Sequence, residues 1–515
     1  MDRTPVLSSK NVDFTLKPNS GAMPGIEKKA TAEAIEVTYQ SRFALFDETE
    51  NVSRPVVQEK TIKTDARVPK LGVMLVGLGG NNGSTFTAGV LANKHQLSWE
   101  TKNGEMKANF FGSFTQSATT HVGFKFNEKT GELNDVFKPI NSLLPMVNPV
   151  DFDVCGWDIS SANLYESCKR AHVLEPTLIS QLKSELEQIK PMRAVLNPDY
   201  IASNQADRAD NLLKGTNQEC IDAIRADIQA CKKRNDKVIV LWTANTEMFL
   251  LPEINALDDL EDRIKNNAPL PASVLYCVAA IQEGVLYLNG SPQNTFHPAV
   301  VEMADKNGAF LAGSDFKSGQ TRFKTIMSDF LIGSGLRLAS VVSYNHLGNN
   351  DGKNLSEDKT FRSKQISKAG VLDDAIKANS TLYPKGQDKI DHEVIIKYVP
   401  FVGDSKRAMD EYSSQIFMNG CNTITSYNVC EDSLLAVPLM FDMIVLGELF
   451  TRMNIDGEKL GPVLSYLSFF FKAPITNHDE YVINSFSRQR ETLVNLLKVA
   501  SGILPDDTTL LSFKF

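Results

Sequence analysis

The sequence predicts an α/β protein, a doubly wound and mostly parallel sheet interrupted by an inserted α+β unit. Three observations carry this. An apolar run at Leu71 breaks into a glycine turn, LGVMLVGLGGNNGST. Further apolar runs at Phe152–Cys155, Val238–Trp242, Val274–Ala280 and Ala309–Ala312 read as strands, and helical patterns such as Thr177–Lys190 and Cys220–Arg234 separate several of them. Strands alternating with helices build a parallel sheet. The character then changes after about Leu331 and returns to apolar, helical sequence from Pro438.

Taken in order, residues 1–65 hold short alternating stretches such as Ala34–Tyr39 and read as an extended arm with a few strands. Residues 66–330 hold the main sheet. Val73–Val76 is a buried strand that ends in Gly77, Gly79, Gly80 and Gly83, with Ser84-Thr85 near a helix start. Glycines let backbone approach a ligand closely, and the helix N-terminus offers free N–H groups to a phosphate. In G-x-G-x-x-G the third glycine would fall at Asn82, one position before Gly83. The turn is therefore either a variant dinucleotide site or a structural glycine turn. In residues 331–437, Val341–Tyr344 and Val394–Val399 read as strands; Asn422–Val429 alternates imperfectly. The polar stretch Gly348–Asp391 lies among them, and its part from Gly352 reads as a lid that orders on binding. Residues 438–515 rejoin the first domain, with Pro438–Phe450 as a buried helix despite Asp442 and Glu448.

At 515 residues the chain exceeds one ordinary core. An apolar fraction of 42% is that of a soluble globular protein. A net charge of −8 and a pI near 5.6 argue against a general nucleic-acid binder. The N-terminal residues are polar and carry no secretory signal core. No uninterrupted apolar run approaches the ~20 residues that span a bilayer. Seven cysteines without a C-x-x-C suit reduced thiols and a cytoplasmic protein. The seven histidines are scattered, so no residues are assigned to a metal.

Several segments hold groups fit for chemistry. Asp158, just beyond a strand, is either the acid that holds a ribose or a helix N-cap; the usual spacing of about 20 residues past the glycines falls instead in the polar, hairpin-like Lys102–Glu105. Thr243, Ala244, Asn245 and Thr246 in WTANTE stand at a strand's carboxyl end, where α/β crevices form. NGSPQNTF, Asn289–Phe296, is a further polar loop. In GSDFKSGQT, residues Ser318, Gly319, Gln320 and Thr321 lead into a helix near Arg322, with Lys317 adding charge; this is a second phosphate site or an N-capped helix. SYNHLGNNDGKNL gathers Asn345, His346, Asn349, Asn350 and Asp351, side chains that suit sugar hydroxyls and amides. Lys364 and Lys368 share a helical face. Lys406 lies beside Asp404 in VGDSK. Lys472 follows three phenylalanines, so its amine is desolvated and its pKa lowered. Such amines serve as acids and bases near neutral pH or stabilise an oxyanion.

Together the segments GLGGNNGST, NSLLPMV, GWDI, KVIVLWTANTE, NGSPQNTF, KSGQT, SYNHLGNNDG, FRSKQISK, VGDSK, NVCEDSLLA and KAPIT, in that order, resemble the myo-inositol-1-phosphate synthases of the eukaryotic type. The resemblance implies a Rossmann-like domain interrupted by an α+β catalytic and tetramerisation domain. It implies an isomerase that uses NAD without net redox: glucose 6-phosphate is oxidised at C5, enolised, closed by an intramolecular aldol step and reduced again to 1L-myo-inositol 1-phosphate. It implies that Lys364, coupled to Asp315, handles the C5 hydroxyl proton, and that Lys406 and Lys472 stabilise the enolate and the C1 oxygen. Lys368 would hold the phosphate with Ser318, Gly319, Gln320 and Thr321. Asp351, Asn349, Asn350, Asp404 and Asp432 would orient substrate or nicotinamide. Gly77, Gly79, Gly80, Asn81, Asn82, Asp158 and Thr243–Thr246 would hold the rest of NAD. Two rival readings share the glycine turn. A dehydrogenase would release NADH and needs a single base; a non-catalytic NAD-binding regulator would lack one of Lys364, Lys406 and Lys472, all present here.

Overall fold

The computed structural model describes residues 25–127, 129–130, 132–387, 389–477 and 482–505. Its central sheet has 6 parallel strands, in the spatial order Met192–Arg193, Asp153–Asp158, Leu71–Val76, Lys237–Trp242, Leu286–Asn289 and Leu311–Gly313. From Leu71–Val76 the chain first builds to one side and then to the other, and that reversal opens a crevice at the strands' carboxyl ends. All residues of Leu71–Val76 are buried, as expected for a parallel strand covered on both faces. Val73 and Leu75 join a core with Phe86 and Leu446, whereas Met74 and Val76 join the opposite core with Ile224 and Tyr276. The two-residue period of a strand thus supplies both layers.

One sequence expectation is overturned here. Val274–Ala280 is not a strand but part of the helix Ala272–Gln282, buried from Ala272 to Ile281. A helix apolar on every side leaves no polar stripe to betray its period. The strand of this region is the short Leu286–Asn289. Thr177–Lys190 divides into Pro176–Gln181 and Lys183–Leu186, and the helix expected near Arg322 begins at Gly319.

A second sheet orders Asp391–Tyr398, Arg337–Leu347, Ser405–Gln415 and Cys421–Glu431, the first pair parallel and the others antiparallel. Cys421–Glu431 pairs along its whole length despite its imperfect alternation. Val394, Ser343, Asp410 and Ser426 form one cross-strand row; the next row is Ile395, Tyr344, Met409 and Tyr427. Successive rows face opposite sides, and Ile395, Tyr344, Met409 and Tyr427 are all exposed. The stretch expected as a lid forms the helices Asn350–Asn354, Asp358–Ala369 and Asp373–Lys377, and Val371, Leu372, Ile376 and Tyr383 pack with Leu331, Val341 and Tyr412.

The arm is a set of antiparallel strands, Ile26–Ala30, Ala34–Asp47 and Val52–Asp65, extended by Met453–Ile455 and Glu458–Lys459; the first part of the expected arm lies outside the described residues. Asp432–Thr451 is a core helix whose Phe441 stacks on Phe86 at 4.4 Å. Its internal Asp442 is satisfied by Ser113 Oγ and the Phe114 and Thr115 N–H groups, which donate to it at 2.6–2.7 Å.

Candidate active site

The loops that leave the six parallel strands converge on one cleft holding about 1410 Å³ of space, open solvent included. After Val76 the chain turns at Gly77 with φ +94°, where a Cβ would meet Ala244 Cα at 2.8 Å. A Cβ on Gly83 would stand 2.4 Å from the Gly77 carbonyl oxygen and 2.5 Å from that of Leu78. Gly83 therefore performs the packing role that the common motif gives to a residue one position earlier. The Gly77 and Leu78 N–H groups donate to Trp157 O at 2.8 and 3.0 Å, and Gly79 N–H donates to Asp158 Oδ2 at 2.9 Å. The turn delivers Gly80, Asn81 and Asn82 to the cleft wall at the start of the helix Asn81–Lys94, whose first turn carries no acidic side chain. Free N–H groups and the helix dipole suit an anion there.

Asp158 is the last residue of its strand and lines the cleft. It is not a helix cap: the following helix begins at Leu164 and is capped by Asn163. Its Oδ1 accepts from Ser160 N–H at 3.0 Å. Burial pushes its carboxyl up, against the pull of Ser160, Arg208, Arg170 and Gly79. The alternative acid near Lys102–Glu105 lies in the hairpin of Ser98–Thr101 and Gly104–Lys107 and does not line the cleft. Sequence reasoning missed Arg208. It lines the cleft beside Asp158, and its buried Nε has no partner among the described residues. An Arg208 Nε without a partner among the described residues, a glycine-rich turn and a helix start free of acidic side chains fit the phosphates of NAD.

Thr243, Ala244, Asn245 and Thr246 line the cleft beyond Trp242, and Gly290, Ser291 and Pro292 line it beyond Asn289. The inserted unit closes the opposite wall with Asn345, Asn349, Asn350 and Asp351. Asn350 Nδ2 donates to Asn245 Oδ1 at 3.2 Å and to Gln205 Oε1 at 3.0 Å, joining the two walls. His346 is exposed instead. Asp432 lines the cleft, but Asp404 stands behind it. Its carboxyl accepts from Asn349 Nδ2 at 3.0 Å, Asn81 Nδ2 at 3.4 Å, and Ser433 N–H and Oγ at 2.8 Å each. Asp404 thus holds residues of the wall rather than forming it.

The lysines meet at the centre. Asp315 Oδ1 accepts from Lys364 Nζ at 2.8 Å and from Lys472 Nζ at 3.1 Å, and Ser367 Oγ donates to Oδ2 at 2.6 Å. Lys406 Nζ donates to Asp432 Oδ1 at 3.4 Å. Lys364, Lys368, Lys406 and Lys472 all line the cleft, the first two from one face of Asp358–Ala369. Burial would raise Asp315, but Lys364 and Lys472 outweigh it and hold the carboxyl below the ordinary range. Burial disfavours the Lys364 ammonium, yet Asp315 and Asp351 keep it charged. Lys472 is pushed down to about 7 by burial, with Lys364 and Lys406 adding to the effect. Lys368 lies well below its ordinary value through burial and the charges of Lys406, Lys472, Lys324 and Lys364. Burial raises Asp351, and Asp432 adds to this; Lys406, Lys364 and Lys472 overcome burial at Asp432 and lower it.

Ser318 lines the cleft at the start of Gly319–Gly333, while Gly319, Gln320 and Thr321 lie behind it. Ser318 makes no side-chain cap bond and no acid stands in the first turn, so this helix start also suits an anion. Lys317 does not serve the loop. Its amine points into the body and donates to Asn484 O at 2.7 Å and Gln489 Oε1 at 2.9 Å.

The cleft therefore joins two anion-receptive helix starts by a lysine–carboxylate cluster. The family model described as myo-inositol-1-phosphate synthase, an NAD-binding family, matches residues 71–498. Inositol-3-phosphate synthase isozyme 1 of Arabidopsis thaliana is 48% identical over 475 residues, covering 89% of this chain and 92% of the relative. Inositol-3-phosphate synthase 1 of Oryza sativa subsp. japonica is 47% identical over 491 residues, covering 91% and 95%. The crystal structure of inositol-3-phosphate synthase from Caenorhabditis elegans superposes with a TM-score of 0.91 at 43% identity, covering 96% of this chain and 98% of that one. With the glycine turn, the lysine cluster and these relatives in agreement, the chain belongs to the myo-inositol-1-phosphate synthase family.

Proposed function

We propose that the chain converts D-glucose 6-phosphate to 1L-myo-inositol 1-phosphate with no net redox change; its curated relatives are named inositol-3-phosphate synthases. The observation that carries this reading is the sharing of Asp315 Oδ1 by Lys364 and Lys472 within a cleft that also holds Lys368 and Lys406. When bound, NAD⁺ supplies reversible oxidation at C5 of the sugar. The glycine turn, Asn81, Asn82 and Arg208 would hold its phosphates and Asp158 its ribose, Thr243–Thr246 would line the rest of it, and Asp432 would orient its nicotinamide end. The Ser318–Thr321 helix start and Lys368 take the substrate phosphate, and Asn349, Asn350 and Asp351 orient its hydroxyls.

Near neutral pH Lys364 is an ammonium, and the Lys472 amine titrates at about 7. Because both touch one oxygen, the Lys472 amine in its neutral form accepts the C5 hydroxyl proton, directly or by way of Lys364, and the pair later returns one, with the Asp315 carboxylate offsetting the positive charge. The role that the resemblance gives to Lys364 coupled to Asp315 thereby extends to Lys472, which shares the same oxygen. Once C5 is a ketone, the substrate's own phosphate takes the C6 proton, and Lys406 and Lys472 stabilise the enolate oxygen by donating hydrogen bonds to it. C6 then attacks C1, and one of these lysines donates a proton to the C1 oxygen. A dehydrogenase needs one base; four lysines in one cleft suit several proton transfers. The test is to incubate the protein with ¹³C-labelled glucose 6-phosphate and catalytic NAD⁺. The expected result is an inositol phosphate spectrum without an NADH absorbance. Stoichiometric NADH with an open-chain or lactone product would make the chain a dehydrogenase, and no product would favour a regulator.

The exposed row Ile395, Tyr344, Met409 and Tyr427 supports a homotetramer built through the second sheet. All seven cysteines are free, which supports a reducing, cytoplasmic setting.

A further inference from the structure

A buried polar chain runs behind the anion loop. Gln320, in the first turn of Gly319–Gly333, donates from Nε2 to Asp410 Oδ1 at 2.7 Å. Its carbonyl Oε1 accepts from Lys368 Nζ at 3.4 Å. Asp410 and Lys368 are each 2% exposed. Tyr412 OH donates to Asp410 Oδ2 at 3.3 Å. Asp410 pairs in register with Ser343, whose Oγ accepts from Lys324 Nζ at 2.7 Å. Sequence inspection singles out neither Asp410 nor Lys324.

An amide side chain has two ends of similar size and opposite polarity. A carboxylate only accepts hydrogen bonds, so Asp410 turns the N–H₂ end of Gln320 toward itself and the carbonyl toward Lys368. Lys368 stands among Lys364, Lys406, Lys472 and Lys324, and Gln320 Oε1 is its one hydrogen-bond acceptor among the described residues. A reversed amide would point N–H groups at an amine already ringed by cations, and Lys368 would lose its anchor.

We propose that Asp410 is a positioning residue for the phosphate end of the substrate: by fixing which way Gln320 faces, it aims Lys368 into the cleft. This rests on the reading that Lys368 and the Ser318–Thr321 loop receive the substrate phosphate.

The test compares D410N, Q320E and the double variant with the wild type. Asparagine has the shape of aspartate but presents both a donor and an acceptor, so it leaves Gln320 free to reverse. Inorganic phosphate binding to the NAD-loaded protein, read by calorimetry, needs no turnover. D410N is expected to weaken it about tenfold, the worth of one charge-assisted hydrogen bond. The KM for glucose 6-phosphate rises in parallel, while kcat and NAD affinity change less. In the double variant the new asparagine donates to one oxygen of the new glutamate, and the other oxygen accepts from Lys368. Phosphate affinity therefore recovers to within about threefold of wild type. Q320E alone sets two carboxyl groups face to face and binds phosphate more weakly than the double variant. A D410N protein that binds phosphate like the wild type, or a double variant no better than D410N, would overturn the proposal. Wild-type turnover of glucose 6-phosphate reports separately on the functional reading, because the phosphate comparison stands without it.

Discussion

Lys317 and Lys472 show how neighbouring positions acquire unrelated duties. Both amines are buried and both titrate near 7. Lys472 points at Asp315 in the cleft, while Lys317 points away to the neutral oxygens of Asn484 and Gln489. For Lys317, burial first and then Arg322 lower the pKa to about 7, against about 10.4 in an unfolded chain. Between these values the unfolded chain binds the extra proton, so the amine contributes stability that rises with pH above 7. The slope is at most about 1.4 kcal/mol per pH unit. The thermal midpoint of the wild type is therefore expected to rise from pH 7 to pH 9, and K317M should show a smaller rise. Equal slopes would mean that the Lys317 ammonium is well solvated in the folded protein. Residue identity alone revealed the desolvation of Lys472, because three phenylalanines precede it. It did not reveal the direction of Lys317, which depends on which side of the loop meets the helix Phe486–Ala500 and its Gln489. Arg208 escaped for a related reason: it meets Asp158 only through the fold, and no local pattern marks it.

At the scale of elements, the glycine turn was legible because its constraints are local. Gly77 needs a positive φ and Gly83 needs the absence of a Cβ, and both follow from a strand turning at once into a helix. The shifted third glycine is explained by packing, because a Cβ on Gly83 would strike the Gly77 and Leu78 carbonyls. Apolar runs gave the central strands correctly where flanking turns bounded them. Ala272–Gln282 was misread because full burial removes the polar side that distinguishes a helix from a strand. Its neighbour Leu286–Asn289 was missed because four residues carry too little pattern. The second sheet's division of labour was invisible for another reason. That Ser343 and Asp410 share the buried face while Tyr344 and Met409 share the exposed one is a matter of register, which pairs strands distant in sequence.

At the scale of the whole molecule, the second sheet has two jobs on opposite faces. One face backs the lysine cluster; the other exposes the apolar row of Ile395, Tyr344, Met409 and Tyr427, the surface proposed above for assembly. If that row builds the proposed tetramer, a charge at its centre, in M409E combined with Y427D, is expected to shift the mass in light scattering from that of the wild type to smaller species, with secondary structure retained. An unchanged mass would remove this face from the assembly. On the proposed function, one cleft oxidises and re-reduces the same carbon. The most direct measurement is the fate of deuterium placed at C5 of glucose 6-phosphate, followed in ordinary water with unlabelled NAD⁺. The account predicts that the deuterium is retained on the matching ring carbon of the inositol phosphate, with no labelled NADH accumulating. Deuterium lost from the product, or accumulating in free NADH, would contradict it.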